Sequence, residues 1–295
     1  MEPLTDAEAD DYLKHLGVVR SGQVNREYLD ALIRAHLERV TFENLDVVLG
    51  RNIPLGPNAV LSKVMRRRRG GYCFELNSLF GRLLMTLGYQ VKLRAARFLL
   101  MMPDHLHAKT RLSHMTLLVE LPDGVSCIAD VGMGFVGVHR ALLLQGDASP
   151  CRVRTSISGS VEISLPTKNA GWKVFYLVEP YDLTWQDFES IKWYLSTKPD
   201  CALRHMVVVG RRSPVDGCWL QLVDDRFIRW SPVDGIVEKR VMRDADEILE
   251  LLQTTFALRL CPKDDVEALR FRLSEVLRSS KLAEIALDGM NLWPE

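Results

Sequence analysis

The chain has no surplus charge, no apolar run long enough to cross a bilayer and no cysteine pattern of a stapled scaffold. Its 38 Lys and Arg residues balance 38 Asp and Glu residues over 295 positions. No net field therefore favours nucleic acid or an anionic membrane, and small-molecule partners are expected. The six cysteines, at 73, 127, 151, 201, 218 and 261, form no Cys-x-x-Cys pair and keep no regular spacing to histidine. That argues against a disulfide framework and against a zinc site, and it points to a reducing, cytoplasmic location. The opening residues carry Glu2, Asp6, Glu8, Asp10 and Asp11, the wrong charge for a secretory leader. No uninterrupted stretch reaches membrane-spanning length. What remains is a hydrophobic content of 47%, enough to fill the cores of about two or three domains.

The apolar spacing changes character along the chain. Up to Gly88 it is helical, through Tyr12, Leu13 and Leu16, then Tyr28, Leu29, Leu32, Ile33 and Leu37, then Leu79, Phe80, Leu83, Leu84 and Leu87. An all-helical first domain over 1–90 is expected. Short alternating or β-branched runs follow at 91–100, 115–121, 125–131, 161–165 and 172–179, and they predict a small β-barrel over 91–193. A helix and connector at 185–199 leads out of it. A strand meander at 206–209, 218–223, 227–230 and 236–240, followed by helices at 244–256, 263–279 and 281–287, predicts an α/β lid over 194–295. The one dense basic run, Arg66 to Arg69, reads as a solvated helix end leading into Gly70 and Gly71, with some of its arginines free to face inward.

Cys73 follows those two glycines and opens the third helical run. Gly70 and Gly71 permit a sharp turn and a close approach to substrate. The unpaired amides and positive dipole end of a first helical turn favour an anion, which suits a thiolate nucleophile. A lone cysteine is more often a buried structural residue, so the case needs a base and a group to orient that base. Of the seven histidines, His114 stands out within a strand pattern, although an isolated strand histidine is commonly structural. Asp130 is its counterpart, a carboxylate that ends the apolar run 125–129 and requires a donor. Between them, Leu121-Pro122-Asp123-Gly124-Val125 fits a three-residue hairpin loop with Gly124 left-handed. That loop pairs Thr116 with Asp130 and His114 with Gly132, which places His114 and Asp130 on one face, diagonally across the hairpin.

These residues, together with Thr41-Phe42-Glu43-Asn44-Leu45-Asp46, Arg68-Arg69-Gly70-Gly71-Tyr72-Cys73-Phe74-Glu75-Leu76-Asn77 and Ala129-Asp130-Val131-Gly132-Met133-Gly134, resemble the arylamine N-acetyltransferases. The match runs in the family's order across the first half of the chain. The resemblance implies an α+β multidomain fold: a helical domain, a β-barrel domain and an α/β lid, with a cysteine-protease-like triad of Cys73, His114 and Asp130. It also implies ping-pong acetyl transfer from acetyl-coenzyme A (acetyl-CoA), through a thioester on Cys73. The acceptors would be arylamine or hydrazine nitrogens, extending to arylhydroxylamine oxygens, in xenobiotic metabolism. No metal is needed, and a monomer or homodimer is expected. Phe42, Tyr72, Phe98 and Met133 match the acceptor pocket, and Gly132, Gly134 and Thr197 are assigned coenzyme A contacts. Glu43 and Arg68 match a pair that supports the cysteine loop, and Asn77 matches the position that fixes the triad carboxylate.

Met133 and Phe98 depart from the family's usual residues and reshape the acceptor pocket. The resemblance thins after Pro199. An amide synthase of the same fold, moving a larger acyl chain to an aromatic amine, is the rival enzyme reading, and a peptidase or transglutaminase would need an open peptide cleft. From another class, a silent small-molecule-binding relative would show Cys73 unreactive.

Overall fold

The computed structural model describes residues 1–279 apart from 101, 135–137, 145–146, 149–150, 168–170, 232–233 and 261–262, so the expected helix at 281–287 lies outside the described residues. The chain starts with α1 (Asp6–Leu16) and α2 (Arg26–Arg39). Thr5 caps α1 in a reciprocal bond with Glu8, Gly17 ends it in the left-handed region, and Asn25 caps α2 through the Tyr28 amide. Next come β1 (Phe42–Glu43), α3 (Leu45–Val48), α4 (Pro57–Leu61), a π-helical turn (Ser62–Arg66) and α5 (Cys73–Thr86). Every residue of α5 from Cys73 to Leu84 is buried, so this helix is a central post rather than a surface element.

The barrel strands are β2 (Gln90–Phe98), β3 (His114–Glu120), β4 (Ser126–Ala129), β5 (Leu142–Leu143), β6 (Asp147–Ala148), β7 (Cys151–Thr155), β8 (Val161–Pro166) and β9 (Trp172–Asp182). Their order is β5-β4-β3-β2-β9-β8-β7-β6. The two edge strands are consecutive in the chain and a few residues apart, so the sheet must curl back on itself. The chain leaves the barrel through α6 (Trp185–Thr197), then β10 (Val208–Arg212), β11 (Trp219–Val223), β12 (Arg226–Ser231), β13 (Gly235–Val241), α7 (Ala245–Thr254) and α8 (Lys263–Ser279).

Phe42–Glu43 corrects the expectation of an all-helical start. This two-residue strand pairs antiparallel with β10, Phe42 opposite Gly210 and Glu43 opposite Val209, and so joins the distant five-stranded sheet. Two residues are too few for strand periodicity to show. The segment is clasped on both sides: the Thr41 hydroxyl donates to the Phe256 carbonyl at 2.7 Å, and Asn44 accepts from the Val208 amide at 2.8 Å. That sheet and α7 and α8 enclose a second apolar core, around Leu222, Phe227, Ile248, Leu252 and Phe256.

Candidate active site

Cys73 is the first residue of α5 and is 7% exposed. Its loop is fastened to β1, for the Glu43 amide donates to the Gly71 carbonyl at 2.9 Å and the Gly71 amide to Thr41 at 3.3 Å. The Tyr72 amide donates to Glu75 Oε2 at 3.1 Å, which satisfies one of the orphan donors at the start of the helix. Among the described residues, the Cys73 and Phe74 amides have no acceptor.

The hairpin has the register expected from its loop. Leu117 faces Ala129, Leu118 faces Ile128, and Glu120 faces Ser126. Gly124, at φ 83°, takes the left-handed turn position. The same register carries His114 and Asp130 to one face, with His114 Nε2 2.6 Å from Asp130 Oδ2. The Cys73 side chain also acts on the ring and favours its charged form. Burial alone would push the His114 ring down, but the Asp130 carboxylate, its hydrogen bond to the ring and the Cys73 side chain outweigh it and hold the ring up at about 10. Burial likewise works against the Asp130 anion, yet His114, Asn77 and the Gly132 amide together hold its carboxyl below the ordinary 3.8. The edge of the Tyr176 ring closes the imidazole in, with centroids 5.5 Å apart.

Asn77, one helical turn beyond Cys73, joins the two halves of the site. It donates to Asp130 Oδ1 at 2.9 Å and to the Met115 carbonyl at 2.6 Å, and accepts from the Val131 amide at 2.9 Å. Gly132 sits where a Cβ would lie 2.7 Å from Cys73 Cα, so only glycine allows the end of the hairpin to meet α5 this closely. Gly134 is packed in the same way against Phe42, where a Cβ would lie 2.0 Å from Phe42 Cβ.

The expected partner of Glu43 needs correction. Arg68 has φ 52° and points its guanidinium to His15, with Nη1 2.7 Å from Nδ1. Arg69 takes the Glu43 carboxylate instead, at 2.8 Å. The left-handed turn at Arg68 swings one arginine outward and the next inward, which counting along the sequence does not reveal. Sequence reasoning also passed over Lys63. Its ammonium is 4% exposed as a residue and lies 2.8 Å from Glu75 and 2.7 Å from Asp46. Burial opposes that charge, but Glu75, Glu43 and Asp46 outweigh it and hold the Lys63 ammonium above its ordinary range. A lysine within a helical pattern gives no sign of this, because it reads as an ordinary surface residue.

The remaining expected residues are spread out. Tyr72 is buried against Phe74, with centroids 5.3 Å apart, and among the described residues its hydroxyl has no partner. Phe98 is set edge-on to Phe175 at 5.8 Å, Phe175 packs on Tyr176 at 5.0 Å, and Met133 is buried. Thr197 is exposed at the end of α6, with its hydroxyl bonded back to the Trp193 carbonyl.

A family described as N-acetyltransferase matches residues 26–266. The Salmonella typhimurium protein called arylamine N-acetyltransferase / N-hydroxyarylamine O-acetyltransferase is 33% identical over 241 residues, 79% of this chain and 82% of that one. The chain belongs to the arylamine N-acetyltransferase family. It is an acyltransferase with that family's fold: a helical domain, a β-barrel and an α/β lid. A Salmonella typhimurium arylamine N-acetyltransferase structure aligns with a TM-score of 0.83 at 28% identity, covering 92% of this chain and all of the other. A Mycobacterium marinum arylamine N-acetyltransferase in complex with CoA shares the fold, with a TM-score of 0.82 at 23% identity and coverage of 91% and 99%. Among the described residues no helix is long and apolar enough to cross a membrane.

Proposed function

We propose that this arylamine N-acetyltransferase moves an acetyl group from acetyl-CoA to the nitrogen of an arylamine or hydrazine through a thioester on Cys73. One observation carries the reading: the His114 ring is paired with the Asp130 carboxylate at 2.6 Å and interacts with the Cys73 side chain, which opens a helix whose first amides are free. His114 takes the thiol proton, and Asp130 keeps the resulting imidazolium oriented and charged. The Cys73 sulfur attacks the acetyl carbonyl, and the Cys73 and Phe74 amides are suited to hold the developing oxyanion. Collapse of the tetrahedral intermediate breaks the bond to the CoA sulfur, which leaves as a thiol with the proton from His114. The amine then attacks the acetyl-cysteine thioester. His114 accepts its proton, and Cys73 departs as the thiolate.

Phe42, Tyr72, Phe98 and Met133 are assigned to the acceptor pocket. A buried hydroxyl without a partner, as on Tyr72, costs on the order of 1–3 kcal/mol unless a ligand or water takes it up. Gly132, Gly134 and Thr197 are assigned to CoA, the ligand of the Mycobacterium marinum protein of this fold. Units at 1–90, 91–193 and 194–295 and a cytoplasmic location complete the proposal.

Initial velocities measured while acetyl-CoA and aniline are both varied test the route. A thioester intermediate gives parallel double-reciprocal lines. Intersecting lines would show that both substrates must be bound together. No turnover from acetyl-CoA, with Cys73 still alkylated by iodoacetamide, would favour an amide synthase using a larger acyl donor.

A further inference from the structure

The arginine run that precedes the nucleophile divides between two environments. Arg69 turns inward to Glu43 and Asp46, while Arg66 and Arg68 line a cleft of about 660 Å³ formed with α1 and the end of α2. None of the active-site residues lines this cleft. Lys14, His15 and Arg39 complete its basic wall, and Leu61 and Met65 supply an apolar stretch.

Four cationic side chains meet here in a chain whose overall charge is zero. Among the described residues, Lys14, Arg39 and Arg66 make no ion pair or hydrogen bond through their side chains. Two acids share the wall, Asp11 and Glu8, the latter accepting from the Thr5 amide and hydroxyl at 2.9 and 2.8 Å, so the four cations face only two carboxylates. Burial, Arg68 and Arg39 push the His15 ring down. It is therefore neutral at physiological pH, and Nδ1 accepts from Arg68. Cations in excess of the carboxylates beside them repel one another, and an anion bound among them removes that cost. Guanidinium groups match phosphate oxygens in pairs, and the cleft volume falls in the range of about 300–1,000 Å³ usual for small-molecule sites.

We infer that the cleft lined by Lys14, His15, Arg39, Arg66 and Arg68 is a second ligand site, separate from the acyl-transfer site, that takes a compact polyphosphate. An extended polyanion fits less well, because it would run past the Glu8 and Asp11 carboxylates on the same wall. Free inorganic polyphosphate and a nucleoside triphosphate carry the same recognised group. Comparing the two identifies which is the occupant.

The test is calorimetric titration of the full chain at low ionic strength, with tripolyphosphate in one arm and ATP in the other, each with and without saturating CoA. The expected result is one site per chain with a dissociation constant of roughly 10–500 µM, unaffected by CoA, and a shift of the His15 ring resonances during the titration. Binding should fall about tenfold or more in Arg39→Gln/Arg66→Gln, while acetyl transfer is unchanged. Equal affinity for the two probes means that phosphate alone is read, and tighter ATP binding means that the nucleoside is also held. The single variant Arg66→Gln gives a smaller loss and serves if the double variant is poorly folded. Three results would overturn the inference: no binding of either probe at about 5 mM, undiminished binding in the variants, or displacement by CoA, which would put the anion in the acyl-donor site. None of these touches the acyl-transfer reading.

Discussion

The nucleophile and its base are held by opposite physical means. On the barrel side, His114 and Asp130 are placed by strand register and fixed by neutral donors, the Asn77 amide and the Gly132 N–H. On the helical side, the loop before Cys73 rests on a nest of buried charge, in which Lys63 and Arg69 face Glu43, Asp46 and Glu75. Burial pushes the Glu75 carboxyl up and Lys63 offsets this only in part. Asp46, which burial would also raise, is brought down to about 2 by Lys63, Arg69 and Arg51. Losing one of those neutral donors leaves the charges of the His114–Asp130 pair balanced, whereas losing one ion from the nest strands an unbalanced charge in the interior. The barrel side is expected to govern chemistry and the helical side to govern stability.

The largest effect belongs to the atom where the two sides meet. Cys73→Ala should abolish acyl transfer while keeping the melting temperature within a few degrees, since alanine suits the first turn of a helix. Appreciable turnover in that variant would remove Cys73 as the nucleophile. Asp130→Asn should come next, with turnover down by roughly 10²–10⁴-fold, because an amide cannot stabilise the imidazolium. Stopped-flow or steady-state assays read this directly, and unchanged kinetics would take Asp130 out of the mechanism.

On the helical side, Lys63→Met should destabilise by about 3–5 kcal/mol in urea melts. Adding Glu75→Gln should return part of that loss, because the second change removes the carboxylate left unpaired. Strictly additive effects would mean that the two residues do not share a network.

The pH dependence of stability separates the two sides further. His114 is held at about 10 against an ordinary 6.5, so its contribution is complete below about pH 6.5 and is lost as pH rises through about 10. Asp130 is held below its ordinary 3.8, so its contribution is present above that value and is lost on acidification. Urea midpoints should therefore fall between about pH 6.5 and 10 in the parent protein and much less in Asp130→Asn. Equal slopes in the two proteins would contradict the pairing. The smallest effect is a contrast between neighbours: Arg69→Gln should cost more than about 2 kcal/mol, and Arg68→Gln, at the surface, less than about 0.5 kcal/mol. Equal losses would return Arg68 to the support of the loop.

The same contrast governs how much was legible in the sequence. A three-residue turn fixes every pair above it, so the hairpin and the shared face of His114 and Asp130 could be reasoned from residues, whereas the placement of Asn77 beside the carboxylate followed only from the family resemblance. The charge nest could not. Arg68 and Arg69 are adjacent and chemically alike, and the left-handed backbone at Arg68 that sorts them leaves no compositional mark. Lys63 looks like any helix-surface lysine until the packing around it is known. The clasp at Thr41, Phe42 and Asn44 was visible as a motif, but its physical role, a two-residue strand stitched to β10, depends on a partner about 160 residues away. Five barrel strands, β2, β3, β4, β8 and β9, were readable, whereas β5 and β6, of two residues each, and the charged β7 at Cys151–Thr155 were not.

The most direct test of the central claim, that Cys73 carries the acetyl group between donor and acceptor, is intact-protein mass spectrometry after mixing with acetyl-CoA alone. A single acetyl adduct is expected, absent in Cys73→Ala and discharged when aniline or a hydrazine is added. An adduct that persists in Cys73→Ala, or one that aniline and hydrazine leave in place, would contradict it.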